Sequence, residues 1–144
     1  MTQRRSLEEM SHAELEKLLD REISFAVRAG AARQIGSDRI PCFTCGTRRP
    51  WRTLDAGHYI GRTNRGVRWD PRDIRPQCRL CNTARDGERA KFRAHLVREL
   101  GEAEVENLER TAGAWAGERR TKVWLIEEIR AWRKKNASLR QAME

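Results

Sequence analysis

A chain of 144 residues with 38% apolar and 35% charged residues has room for one compact domain with a modest core. No apolar run approaches the length of a helical membrane span, so no membrane partner is expected. The net charge of +9 sits in one place: residues 33–93 carry 15 Lys and Arg against six acids, while the rest balances at 15 and 15. A one-signed excess confined to one module reads as a nucleic-acid footprint, DNA and RNA being undistinguished. All but Lys91 of those bases are arginine, whose planar fork matches phosphate oxygens.

In chain order, residues 1–10 are expected to fray. The N-terminal Met1-Thr2-Gln3-Arg4-Arg5 leads toward a charged helix rather than an apolar segment, so no signal peptide and a reducing cytoplasm are expected. Ser11-His12-Ala13-Glu14 is a capping box, and Leu15, Leu18, Leu19, Ile23 and Ala26 recur at helical spacing, which predicts a helix over 11–32. His12 falls in its first turn as a solvated side chain. Ser37 to Pro41 turns into a Cys42-x-x-Cys45 knuckle closed by Gly46. Trp51 to Tyr59 reads as a strand, Asn64-Arg65-Gly66 as a turn, and Val67-Arg68-Trp69 as a short returning strand. After a turn at 70–73, Ile74 to Gln77 leads into Cys78-x-x-Cys81 and a short helix carrying Asn82 and Arg85.

Glu88 to Leu100 reads as a helix with Phe92, Leu96 and Leu100 inward and His95 as a partly buried bystander. A short helix over 102–111, a linker around Trp115 between Gly113 and Gly117, and a last helix over 121–139 follow. The expected organisation is an N-terminal helix (1–36), a zinc-bound core (37–87) and a helical region (88–144), all one compact domain. The fold class is α+β: a zinc-stapled ββα-metal core, HNH or treble-clef-like, with flanking α-helices. The helices at 11–32 and 121–139 carry apolar surface, including Trp124 and Trp132, that serves either a homodimer contact or their own mutual packing.

The chain has four cysteines, in two identical CxxC pairs. Two knuckles of this kind close a tetrahedron of thiolates around one structural Zn²⁺ through Cys42, Cys45, Cys78 and Cys81. Four thiolates leave no open position, so any chemistry lies elsewhere. Phosphodiester cleavage needs a base, a cation and donors for the phosphate oxygens. His58 is the only histidine in the zinc module and is the candidate base. Asp55 and Asn82 offer an oxygen pair for catalytic Mg²⁺ or Mn²⁺. Arg62, Arg65, Arg68 and Arg85 are candidate phosphate clamps. Alternation along a regular strand would point Asp55 and His58 to opposite faces. A bulge at Gly57 would re-aim one of them, and otherwise Asp73 is the alternative carboxylate. The competing reading is a zinc module that binds nucleic acid without cutting it.

The strings Pro41-Cys42-Phe43-Thr44-Cys45-Gly46-Thr47, Asp55-Ala56-Gly57-His58-Tyr59, Arg68-Trp69-Asp70, Asp73-Ile74 and Gln77-Cys78-Arg79-Leu80-Cys81-Asn82 resemble the NinG (Rap) family of lambdoid phages. The resemblance implies recombination endonucleases with a zinc-stabilised HNH-like fold, Mg²⁺-dependent cleavage and Holliday-junction-like, branched DNA substrates. It also implies a phage or prophage origin and action in the cytoplasm of a bacterial host. The Cys81-Asn82 ending is similar to that of phage resolvases in which the residue after the last cysteine binds the catalytic metal, which gives that role to Asn82. Two positions depart from common HNH motifs: Gly57 stands where an acid or histidine precedes the base, and Asp73 stands where asparagine is frequent.

Overall fold

Ser11 opens the first helix as its sequence predicts. The computed structural model describes residues 3–143. The Ser11 hydroxyl accepts from the Glu14 amide at 3.2 Å, and the Glu14 carboxylate accepts from the Ser11 amide at 3.4 Å. Helix α1 (His12–Ile35) runs three residues past its expected end and stops at Gly36, whose φ of 78° reverses the chain. The segment before it is ordered rather than frayed over its described residues. A second capping box, Ser6 with Glu9, closes a 3-10 turn over Leu7–Glu9, and Leu7 is buried in the core. Met1 and Thr2 lie outside the described residues.

Two antiparallel ribbons follow. Strand β1 (Arg39–Pro41) pairs with β2 (Arg48–Pro50) around the first CxxC knuckle. Strand β3 (Asp55–His58) pairs with β4 (Ile74–Gln77), from Asp55 opposite Gln77 to His58 opposite Ile74. The expected returning strand at Val67–Trp69 is therefore not the partner of β3. That stretch is a run of turns, with the Val67 amide donating to the Asn64 carbonyl and the Asp70 amide to the Val67 carbonyl. Val67 and Trp69 are apolar because both are buried, not because they pair in a ribbon. The second knuckle continues into a π-helical turn, Leu80–Ala84, where the Arg85 amide reaches back to the Leu80 carbonyl.

Helix α2 (Arg89–Leu100) ends at Gly101. Helix α3 (Glu102–Trp115) runs through Gly113, so the linker is shorter than expected and begins after Trp115. Helix α4 (Lys122–Met143) closes the described chain. Leu15, Leu19 and Ile23 of α1 bury against Leu125, Ile126 and Ile129 of α4, with Trp69 and Ile74 beneath them. Each such side chain removed from water contributes about 1.5–3 kcal/mol. The apolar faces of the two long helices are thus occupied by each other within one chain, the mutual packing that was one of the two readings of their stripes. Ala29 and Ala32 of α1 pack on Ile40, Trp51, Leu54 and the knuckle cysteines. Helices α2 and α3 form a third cluster with Phe92, Leu96, Val105 and Leu108 around Val67. Helix α1 is the spine, joining the α4 face to the zinc module.

Candidate active site and zinc cluster

The four cysteine sulfurs lie within 4.8 Å of one another, with Cys42, Cys78 and Cys81 buried and Cys45 exposed. Tetrahedral zinc with bonds of about 2.3 Å needs sulfur–sulfur edges of about 3.8 Å. The Cys45 and Cys78 sulfurs are 3.8 Å apart. Gly46, at φ 77°, closes the first knuckle by donating to the Cys42 carbonyl at 2.9 Å. In the second, the Asn82 amide donates to the Cys78 carbonyl at 2.9 Å. The donor set and spacing fit one zinc ion, which would tie the β1–β2 ribbon to the turn carrying Asn82.

Beside the cysteine cluster, Asp55, His58 and Asn82 line one cavity of about 580 Å³. The β3–β4 register is continuous, so Gly57 makes no bulge. Three strand steps separate Asp55 from His58 by about 10 Å, within the width of such a cavity. Gly57 is required for another reason: a Cβ there would collide with the Gln77 side chain, which is buried against Thr44 and the Gly87 carbonyl. The Asn82 amide donates to the Asp55 carboxylate at 3.1 Å, leaving the amide oxygen free for a cation. Arg79, 77% exposed, holds the other Asp55 oxygen at 3.0 Å. An adjacent carboxylate and amide oxygen suit Mg²⁺ or Mn²⁺, which retain several waters.

The His58 Nε2 lies 3.0 Å from the Arg68 carbonyl. A carbonyl only accepts, so Nε2 carries the hydrogen and Nδ1 keeps its lone pair. Burial holds the imidazole below its usual pKa, opposed by the Arg68 backbone bond and the negative charge of Asp20. The ring is therefore neutral at pH 7.

Asp73 is placed differently. It is fully buried, lines neither this cavity nor the next, and accepts from the Ile60 amide at 2.8 Å. Its other oxygen has no partner among the described residues, and burial pushes its pKa up to about 8. The four clamp arginines also divide. Arg62 is 66% exposed and lines both this cavity and a neighbouring one of about 360 Å³. Arg65 and Arg68 are occupied by helix α1: Arg65 binds Glu16 at 2.9 Å, and Arg68 forks onto Asp20 at 3.1 and 2.7 Å. Arg85 stands 3.8 Å from the Cys81 sulfur, outside both cavities.

Sequence reasoning did not identify Asp20, which also accepts from the Trp69 indole at 2.9 Å and lines the cavity. Its signal was present: Glu16 and Asp20 stand four apart on α1 beside the apolar stripe, facing an arginine-rich module. Arg79 and Arg89 at the cavity walls were also missed. The charge excess is partly internal. Arg72, Arg75 and Arg93 bind Glu104, Glu99 and Glu109 of the flanking helices.

Comparison with known proteins adds the family. Curated proteins named Protein ninG, from Escherichia phage 933W, Salmonella phage P22 and Escherichia phage lambda, are 34%, 33% and 33% identical over 97 residues. Each match covers 64% of this chain and 42% of the relative, so the chain spans less than half of their length. No solved structure matches the chain. The family described as Bacteriophage Lambda NinG protein matches residues 2–144, essentially the whole sequence, and the chain belongs to that family.

Proposed function

We propose that this chain is a metal-dependent DNA endonuclease in which His58 is the general base and Asp55 and Asn82 hold one divalent cation. The observation that carries the reading is the Arg68 carbonyl on His58 Nε2, beside the paired Asp55 and Asn82. It leaves a neutral Nδ1 as a proton acceptor in a cavity whose wall can hold a cation. His58 Nδ1 takes a proton from water, the water oxygen attacks phosphorus, and one phosphorus–oxygen bond of the DNA backbone breaks. Bound Mg²⁺ or Mn²⁺ supplies positive charge to the crowded phosphate and the departing oxygen. Arg62, Arg79 and Arg89 are the guanidiniums at the walls for the non-bridging oxygens. Zinc in the cysteine cluster fixes Asn82 through its neighbour Cys81. The substrate reading is branched, Holliday-junction-like DNA in phage recombination, and it rests on the NinG resemblance.

The test is cleavage of linear, forked and four-way DNA with Mg²⁺ or Mn²⁺. His58→Ala is expected to lose about 10²–10⁴-fold in rate with DNA affinity nearly unchanged. Asn82→Ala is expected to lose cleavage and to need more metal. Equal cutting of linear duplex leaves an HNH-type nicking nuclease. No cutting by the wild type under either metal leaves a non-catalytic zinc module that binds nucleic acid.

A further inference from the structure

A further cavity lies away from the candidate catalytic groups, between α1 and α4. Its volume is about 550 Å³, and its walls are Arg4, Leu18, Arg21, Glu22, Arg133 and Arg140. Four guanidiniums thus face one carboxylate. That carboxylate is not available to a ligand: Glu22 is buried, accepts from the Asn136 side chain at 3.2 Å and binds Arg140 at 2.9 Å. Arg4, Arg21 and Arg133 make no hydrogen bond or ion pair among the described residues. Such unpaired charge is unlike the zinc module, where acids of α1, α2 and α3 occupy many of the arginines. Arg21 is also exposed and lines the active-site cavity together with Arg28. The cleft and that cavity thus share Arg21 as a common wall on α1.

We propose that this α1–α4 cleft is a second DNA-backbone site, which grips the phosphates of the duplex arm leaving the active site. The proposal rests on the nuclease reading and adds a place that the charge distribution along the sequence hides. Counted along the chain, residues outside 33–93 are neutral. In space Glu16, Asp20, Glu99 and Glu104 turn toward the zinc module and Glu8 and Glu22 toward α4, leaving Arg4, Arg21 and Arg133 together. Phosphate contacts of this kind carry no base information, and they set affinity and register. Arg140 holds Glu22, so its removal would expose a buried carboxylate. Arg4 and Arg133 have no such structural role.

The experiment measures DNA binding by the full chain across a range of salt concentrations, using a four-way junction and a linear duplex. Each released phosphate contact contributes about 0.9 to the slope of log affinity against log salt. The double variant Arg4→Ala/Arg133→Ala is expected to lower that slope by about 2. Arg98→Ala/Arg110→Ala removes the same charge from α2 and α3, outside the cleft, and is expected to change the slope by less than half as much. If the double variant unfolds, Arg133→Gln alone is expected to lower the slope by about 1. Equal losses in the cleft and control variants would overturn the site while leaving the nuclease reading standing. A wild-type chain that binds no DNA would overturn both.

Discussion

His58 owes its proposed role to a single backbone carbonyl and to burial. Because desolvation lowers its pKa below the ordinary imidazole value, the ring stays unprotonated further into acid than a free histidine would. The acid limb of the cleavage rate is therefore expected below pH 6.5, falling as pH drops through the depressed pKa. A limb at or above 6.5 would mean that another group titrates. The same shift affects stability: below 6.5 the unfolded chain takes a proton that the folded one refuses, so this contribution is lost as pH falls. Asp73 has the opposite sign. Its pKa is raised to about 8, so the stability it contributes is complete below the ordinary carboxyl range and is lost progressively as pH rises to about 8. Asp73→Asn keeps an oxygen for the Ile60 amide and removes the titration. Melting temperatures measured from pH 5 to 8 are expected to carry a downward slope from this group in wild type that the variant lacks, with no further difference in slope above about 8.

At the scale of elements, α1 and the cysteine cluster hold the candidate catalytic groups from opposite sides. Asp20 of α1 binds the Arg68 guanidinium and the Trp69 indole, while the Arg68 carbonyl holds His58. Asp20 is therefore a positioning residue that reaches the base through the intervening loop. The charges facing His58 are Asp20 from α1 and Arg62 and Arg68 from the loop. Asp20→Asn is expected to slow cleavage and to move the acid limb to lower pH, since a charge that raises the His58 pKa is gone. Slower cleavage with the limb unmoved would mean that Asp20 only supports folding. On the other side, the cluster joins the first ribbon to the Asn82 turn across a sequence gap that no helix bridges. Structural zinc contributes about 10–16 kcal/mol in small peptides, comparable to the whole stability of a small domain. Cys78→Ser, or a strong chelator, is expected to unfold the core, as read by circular dichroism and by one zinc per chain in elemental analysis of wild type. Well-folded protein without zinc would refute this.

For the whole molecule, what was legible in the sequence is what short-range spacing encodes. The CxxC pairs, the Ser11 capping box and the helix end at Leu100 are local signals, and the structure carries each of them, whereas the stop at Gly36 lies beyond the expected end of the first helix. Asp55, His58 and Asn82, named from their residue types, do meet in one cavity. What was not legible depends on long-range contact. Val67 and Trp69 look like strand residues because burial and pairing select the same side chains. Gly57 answers to Gln77, twenty residues on, rather than to its own neighbours. The α1 and α4 stripes say that each helix buries a face but not against what. That last point governs assembly. With those faces joined within one chain, the large apolar side chains left exposed among the described residues are Ile35, Leu80, Trp115 and Val123, on four different elements. A stable dimer interface usually buries about 1,200–2,000 Å² around an apolar centre, far more than four single side chains supply. The free chain is therefore expected to be a monomer at micromolar concentration. Resolution of a four-way junction still needs two cuts on opposing strands, and each chain has one candidate site. Two chains are then expected on one junction, brought to its two-fold-related arms by the DNA rather than by a pre-formed contact. Light scattering of the free chain and of the junction complex decides this. A dimer without DNA would reveal an interface outside the α1–α4 faces, and one chain per junction would remove the resolvase assignment while leaving a nuclease.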